Sequence, residues 1–172
     1  LVPMGRASGL ADQVISAQEY EDVLHWLYDF RKGTSMHLKA TCAPHYYRIM
    51  RQRAREEGVS VTPATFGMDA MTRGCLGGTG FCFISHVGQV QPCGYLTLDC
   101  GNVRTTPFPE IWRKSKPFLQ FRDQSEYKGK CGVCEFHKVC GGCRARAWSM
   151  DGDYMGEEPL CTYQPRKAKE AE

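Results

Sequence analysis

Cys131-Gly132-Val133-Cys134-Glu135-Phe136-His137-Lys138-Val139-Cys140-Gly141-Gly142-Cys143 is the stretch that decides how this chain folds. It places four thiols within thirteen residues, as two CxxC turns separated by five residues. A CxxC turn brings two sulfurs to one point and leaves backbone N–H groups free to face them. A pair of such turns can therefore wrap one metal centre. Tetrathiolate zinc and an iron–sulfur cluster both want this arrangement, and spacing alone does not choose between them. From Tyr127 to Cys143 glycine and cysteine dominate and no apolar period survives. Such a segment offers too little apolar surface to offset its chain entropy, so an inorganic core is expected to order it.

Outside this stretch lie Cys75, Cys82, Cys93, Cys100 and Cys161, with only Cys42 earlier in the chain. If four of the later cysteines joined the central group, eight thiols would serve two four-ligand sites. The 172 residues are 42% hydrophobic and 24% charged, a balance that excludes wholesale disorder. No apolar stretch approaches the roughly 18 residues needed to cross a bilayer. The formal charge of +3 is too mild to argue for nucleic acid. Leu1–Arg6 has neither the basic start nor the apolar core of a signal peptide. Close cysteine pairs in a reducing compartment bind metal or do redox chemistry, so a cytoplasmic location is expected. Position 1 is not methionine, and the expectation is a fragment whose N-terminus lies upstream.

The region before Cys75 reads as alternating helix and strand. Ser16 and Glu19 form a capping-box pattern, followed by apolar residues at Tyr20, Val23, Leu24, Leu27, Tyr28 and Phe30. That predicts a helix ending near Lys32-Gly33. Met36 to Thr41 alternates apolar and polar residues, as a short strand does, and Cys42-Ala43-Pro44 breaks it. Tyr46 to Glu57 predicts a helix with a basic face of Arg48, Arg51, Arg53 and Arg55, closed by Gly58. Strand followed by helix is the grammar of parallel α/β units. After Cys75, Phe81–His86 and Val90–Cys93 flank Val87-Gly88-Gln89 and predict a β-hairpin. Phe108–Lys116 and Pro117–Asp123 predict short helices that pack Ile111, Trp112, Phe118, Leu119 and Phe121. The end of the chain, 165–172, reads as a charged tail.

These residues carry a family. Cys75-x12-Gly88-x4-Cys93, the run from Cys131 to Cys143, and then Cys161 closely resemble the SPASM domain of radical S-adenosylmethionine enzymes. The turn at Gly101-Asn102-Val103 and the helix start Pro107–Trp112 are similar to that domain too. One departure stands out. The usual last spacing is C-x3-C, whereas Gly141-Gly142 leaves C-x2-C, so the last turn is tighter or its ligand assignment differs. A narrower resemblance, carried by Lys39–Arg48 and Cys75–His86, is to the haem b synthases of the siroheme-dependent pathway, which are Fe-coproporphyrin III decarboxylases. It implies the last α/β units of a partial TIM-type barrel over 1–74, then a small irregular α+β iron–sulfur SPASM domain over 75–164.

The resemblance also implies ligands and chemistry. Cys75, Cys82, Cys93 and Cys143 would hold one auxiliary [4Fe–4S] cluster, with Cys100 able to substitute for Cys82. Cys131, Cys134, Cys140 and Cys161 would hold a second. An incomplete site would leave an iron open to substrate. The family reaction converts two propionates of Fe-coproporphyrin III to vinyl groups, with an auxiliary cluster as a reasonable electron acceptor. S-adenosylmethionine and its own cluster belong to a preceding part, because the C-x3-C-x2-C motif is absent from these residues. Turnover by this stretch alone is not expected. Cys42 and His45, after the expected strand, and Arg48 and Arg73, suited to carboxylates, are substrate-site candidates. Arg144 and Arg146 beside Cys143 are candidates to balance cluster charge. Competing readings are a peptide-modifying SPASM enzyme, a zinc-stabilised nucleic-acid module using the Arg48–Arg55 face, and a small electron-transfer protein.

Overall fold

A computed structural model describes residues 5–166. Most of the charged tail, 167–172, lies outside the described residues, as do residues 1–4. After two 3-10 turns over Gly5–Gln13, helix α1 (Ala17–Lys32) begins at Ser16. The Ser16 hydroxyl accepts from the Glu19 amide and the Glu19 carboxylate accepts from the Ser16 amide, the expected capping box. Helix α2 (His45–Glu56) packs on α1 across Tyr20, Leu24, Tyr28, Tyr46, Ile49 and Met50. Leu160 joins this core from the far end of the chain. A third short helix, α3 (Pro63–Phe66), is capped by Thr62 and brings Phe66 onto the same core.

Three expectations for this region change. Residues 36–41 form no strand, because no neighbouring segment among the described residues offers them a hydrogen-bonded ladder. The strand–helix alternation is therefore not seen here, and the region is helical. Second, Val23 and Phe30 face outward together with Trp26, which is 60% exposed and stacks on Phe30. Helix α1 packs on α2 along one side only. Third, the basic face expected on α2 is broken up. Arg48 is buried against Glu21, with its Nη2 2.5 Å from the carboxylate, and Arg53 is tied to Asp29 and Glu57. Arg51 donates to the Tyr47 carbonyl and Arg55 stays exposed, so the four arginines do not form one exposed row of the kind a nucleic-acid module uses.

The later region has little regular structure. Strands β1 (Phe83–Ile84) and β2 (Val90–Gln91) pair antiparallel, Phe83 opposite Gln91 and Ile84 opposite Val90, which is the expected hairpin. Ser85 closes its turn: its carbonyl accepts from the Gly88 amide and its hydroxyl from the Gln89 amide. Helices α4 (Phe108–Lys114) and α5 (Lys116–Arg122) bury Ile111, Phe118 and Phe121, while Leu119 stays exposed. Short helix α6 (Gly129–Val133) and turns carry the cysteine-rich stretch into α7 (Arg144–Asp151), which starts at Cys143. Arg144, Ala145, Arg146 and Ala147 of α7 are all buried, so this helix is the wedge between the two regions. No helix among the described residues is long and apolar enough to cross a membrane.

Candidate metal centres

The cysteines divide between two cavities, one of them walled by the first turn of α7. The narrow cavity has about 380 Å³ of empty space and is lined by Cys131, Cys134, Cys140 and Cys161. These are the four thiols that the resemblance assigns to one cluster. His45, Arg48 and Lys130 line it too. The wide cavity, with about 1660 Å³, is lined by Cys75, Cys93 and Cys143 together with Cys42. Arg73, Arg144 and Lys39 share its wall. Cys140 and Cys143 therefore serve opposite sides, so the second CxxC turn separates its sulfurs where the first gathers them. Gly142 permits this at φ +61, where an added Cβ would stand 2.3 Å from Arg144 Nη2 and 3.1 Å from Glu158 Cβ.

Backbone amides converge on the sulfurs. The Phe136 amide donates to Cys134 Sγ at 3.4 Å and the Glu158 amide to Cys131 Sγ at 3.4 Å. The amide two residues on also faces the sulfur of Cys75, Cys93, Cys140 and Cys161, from Gly77, Tyr95, Gly142 and Tyr163. This i+2 turn holds an amide proton where a thiolate's charge would lie. Burial acts the other way. It pushes Cys134 up to about 11 and Cys143 up to about 12, and Cys75, Cys93, Cys140 and Cys161 upward as well. Without metal these thiols keep their protons, and a bound metal must displace them.

The narrow cavity fits a negatively charged cluster on its own evidence. His45 is fully buried, and neither ring nitrogen has a hydrogen-bond partner among the described residues. Burial, then the Arg48 charge, lowers its pKa well below the ordinary histidine value, so the ring is neutral and holds one N–H donor. Four thiols, two cations and that donor around one cavity match the charge and hydrogen-bonding needs of a thiolate-bound cluster. No three His, Cys, Asp or Glu side chains among the described residues converge to single-ion spacing.

A buried ion pair ties the cavities together. Arg146 Nη1 donates to Glu158 Oε1 at 2.9 Å, and the two side chains are 1% and 0% exposed. Glu158 Oε2 accepts from the Cys143 amide at 2.6 Å while the Glu158 amide faces Cys131 Sγ. Arg146 Nη2 reaches the Cys42 carbonyl at 3.0 Å. Arg144 Nη2 lies 3.5 Å from Cys131 Sγ, and its Nη1 donates to the Gly156 carbonyl. One pair thus fixes a cysteine on each side of the wedge. Glu158 carried no signal in sequence, since it sits in a Gly-Glu-Glu-Pro turn without periodicity or spacing.

The remaining candidates are spread out. His45 and Arg48 line the narrow cavity; Cys42 and Arg73 line the wide one, where Arg73 Nη2 donates to Thr79 Oγ1 at 2.6 Å. The structure does not bring Cys82 to either cavity. It packs beside Val90, Cys100, Ile111 and Phe118 under the hairpin. Burial raises the Cys82 thiol and pushes Cys100 up to about 11.

Comparison with known proteins adds the family. The SPASM domain, described as an iron-sulfur cluster-binding domain, matches residues 75–144. This chain carries a SPASM domain. The chain is 82% identical over 167 residues to the AdoMet-dependent heme synthase of Nitratidesulfovibrio vulgaris, covering 97% of this chain and 46% of that protein. It is 56% identical over 167 residues to the AdoMet-dependent heme synthase of Methanosarcina barkeri, covering 97% of this chain and 47% of that protein. The PqqA peptide cyclase of Bradyrhizobium diazoefficiens is 35% identical over 99 residues, covering 53% of this chain and 26% of that protein. The chain spans just under half the length of the haem synthases it matches, and it aligns with their C-terminal part. Both cavities are walled by SPASM cysteines together with residues from outside the matched span.

Proposed function

We propose that this chain is the cluster-bearing C-terminal part of a radical S-adenosylmethionine haem synthase that oxidatively decarboxylates Fe-coproporphyrin III. In this reading residues 1–74 end a partial barrel and 75–164 are the SPASM domain, in a cytoplasmic protein. The observation that carries it is the sorting of the SPASM cysteines into two thiol-lined cavities, in a chain this similar to AdoMet-dependent heme synthases. S-adenosylmethionine, when bound in the rest of such a protein, would supply the radical chemistry that removes one hydrogen atom from the propionate β-carbon. Loss of carbon dioxide and one electron then leaves the vinyl group, so each propionate needs a one-electron acceptor. Thiolate-held clusters supply that one-electron chemistry over a wide range of potentials.

The residues around the wide cavity suit such a substrate. Arg73, Arg144 and Lys39 place positive charge on its wall, as carboxylate side chains require. Leu76, Phe81 and Phe83 line the same cavity and stay 40–52% exposed, an apolar surface able to pack against a macrocycle. The narrow cavity is lined by four thiols of its own, His45 and Arg48, and is too small for a macrocycle, which suits it to carry electrons away from substrate.

The test uses the full-length protein that carries this chain, anaerobically, with S-adenosylmethionine, a low-potential reductant and Fe-coproporphyrin III. The expected product is lighter by two formic acid equivalents, measured by mass spectrometry. Porphyrin left unchanged, with modification of a peptide substrate in its place, would assign the protein to the peptide-modifying SPASM enzymes.

A further inference from the structure

We propose that Cys42 supplies the fourth thiolate at the wide cavity, beside Cys75, Cys93 and Cys143, and that Cys82 does not. The inference rests on the reading above that this cavity holds an auxiliary cluster.

Position comes first. Cys42 lines the wide cavity with the other three thiols and packs on the same apolar cluster as Cys93 and Cys143. Cys82 belongs to a separate apolar cluster around Val90 and Cys100. Swinging Cys82 into the cavity would pull it out of the packing that supports the hairpin.

Backbone geometry is the second argument. Cys42 is the non-glycine residue among those described with a positive φ, +56. A side chain is rarely held there unless the surroundings over-determine it, and such strain collects at functional sites. Here the surroundings do over-determine it. The Cys42 carbonyl accepts from Arg146 Nη2 at 3.0 Å and from the Tyr20 hydroxyl at 3.3 Å. Two residues on, Pro44 lies so close to Gly74 that a Cβ there would stand 2.6 Å from Pro44 Cα. The turn is thus clamped from the buried ion pair on one side and from the approach to Cys75 on the other. A thiol serving only as packing would gain nothing from a conformation that glycine or asparagine adopts more cheaply.

The consequence is functional. Four protein thiolates leave no iron open at this cluster, so its role is to accept electrons, and the substrate is held by the charged and apolar wall. A cluster bound by Cys42 also joins the helical region to the SPASM domain covalently through metal.

The test compares Cys42→Ser, Cys42→Gly, Cys82→Ser and Cys75→Ser in the full-length protein, reconstituted anaerobically. Iron and sulfide are counted, and EPR spectra are taken oxidised and dithionite-reduced. Cys42→Gly relieves the positive φ, so it keeps the fold while removing the thiol, and its melting temperature confirms this. The expected result is that the Cys42 variants change the same spectral component as Cys75→Ser, with Cys42→Gly giving a [3Fe–4S]-type signal or losing about four irons. Cys82→Ser should match the unsubstituted protein. Cys42 variants with unchanged spectra and iron, or a Cys82→Ser variant that alters the Cys75 component in their stead, would overturn the inference. A Cys75→Ser variant without effect would instead remove the cluster from this cavity, and with it the reading on which the inference rests.

Discussion

The two cavities are built in opposite ways. The narrow one draws its thiols from the stretch between Cys131 and Cys161, three of them facing the amide two residues on and Cys131 facing that of Glu158. The wide one collects cysteines from Cys42 to Cys143, and their meeting depends on α7 wedging between two regions. A local site can be written as a spacing in the sequence. A non-local site is written only in the fold. The same contrast divides their chemistry, since the small site is lined with its own ligands and charges while the larger one has room for a large partner.

The largest expected effect strikes both sites at once. Arg146→Ala leaves Glu158 buried and unpaired and frees the Cys42 carbonyl, which should destabilise the protein by about 3–5 kcal/mol in chemical denaturation. Iron should fall at both cavities. Loss confined to one would show that the wedge does not couple them. Removing metal with a chelator should sharpen the contrast between regions. Hydrogen exchange in 127–143 should rise sharply while α1 and α2, with their apolar core, keep their protection.

A smaller effect is expected at the divider between the cavities. Gly142→Ala places a Cβ against Arg144 and Glu158 at a positive φ, at a cost of roughly 1–3 kcal/mol. It should weaken iron binding at the narrow cavity more than at the wide one, because the Gly142 amide faces Cys140. The smallest effect lies in the helical region. Ser16→Ala removes the cap of α1 and should cost about 1 kcal/mol without changing the iron content.

The features legible in the sequence share this local character. The capping box at Ser16 and Glu19, the hairpin around Gly88 and the helix pair from Phe108 to Arg122 each depend on residues a few positions apart. The four-thiol set of the narrow cavity is different: spacing groups Cys131, Cys134, Cys140 and Cys143, and only the family resemblance puts Cys161 in place of Cys143. The strand expected over 36–41 failed because alternation describes a strand only where a neighbour completes its ladder. Arg48 misled for a similar reason: an arginine's periodic position does not say whether an acid, here Glu21, waits on the buried side. The placement of Cys42 and the wedge formed by Arg146 and Glu158 follow from contacts across about a hundred residues of chain. No spacing rule reaches that far.

The central claim is that the two cavities are two separate iron–sulfur sites. Iron and acid-labile sulfide counted in the full-length protein test it most directly, with a double variant for each cavity. Cys131→Ala with Cys134→Ala, and Cys75→Ala with Cys143→Ala, should each lower both counts by about four, and the four substitutions together by about eight. Zinc without sulfide, or a combined loss of only about four, would contradict the account.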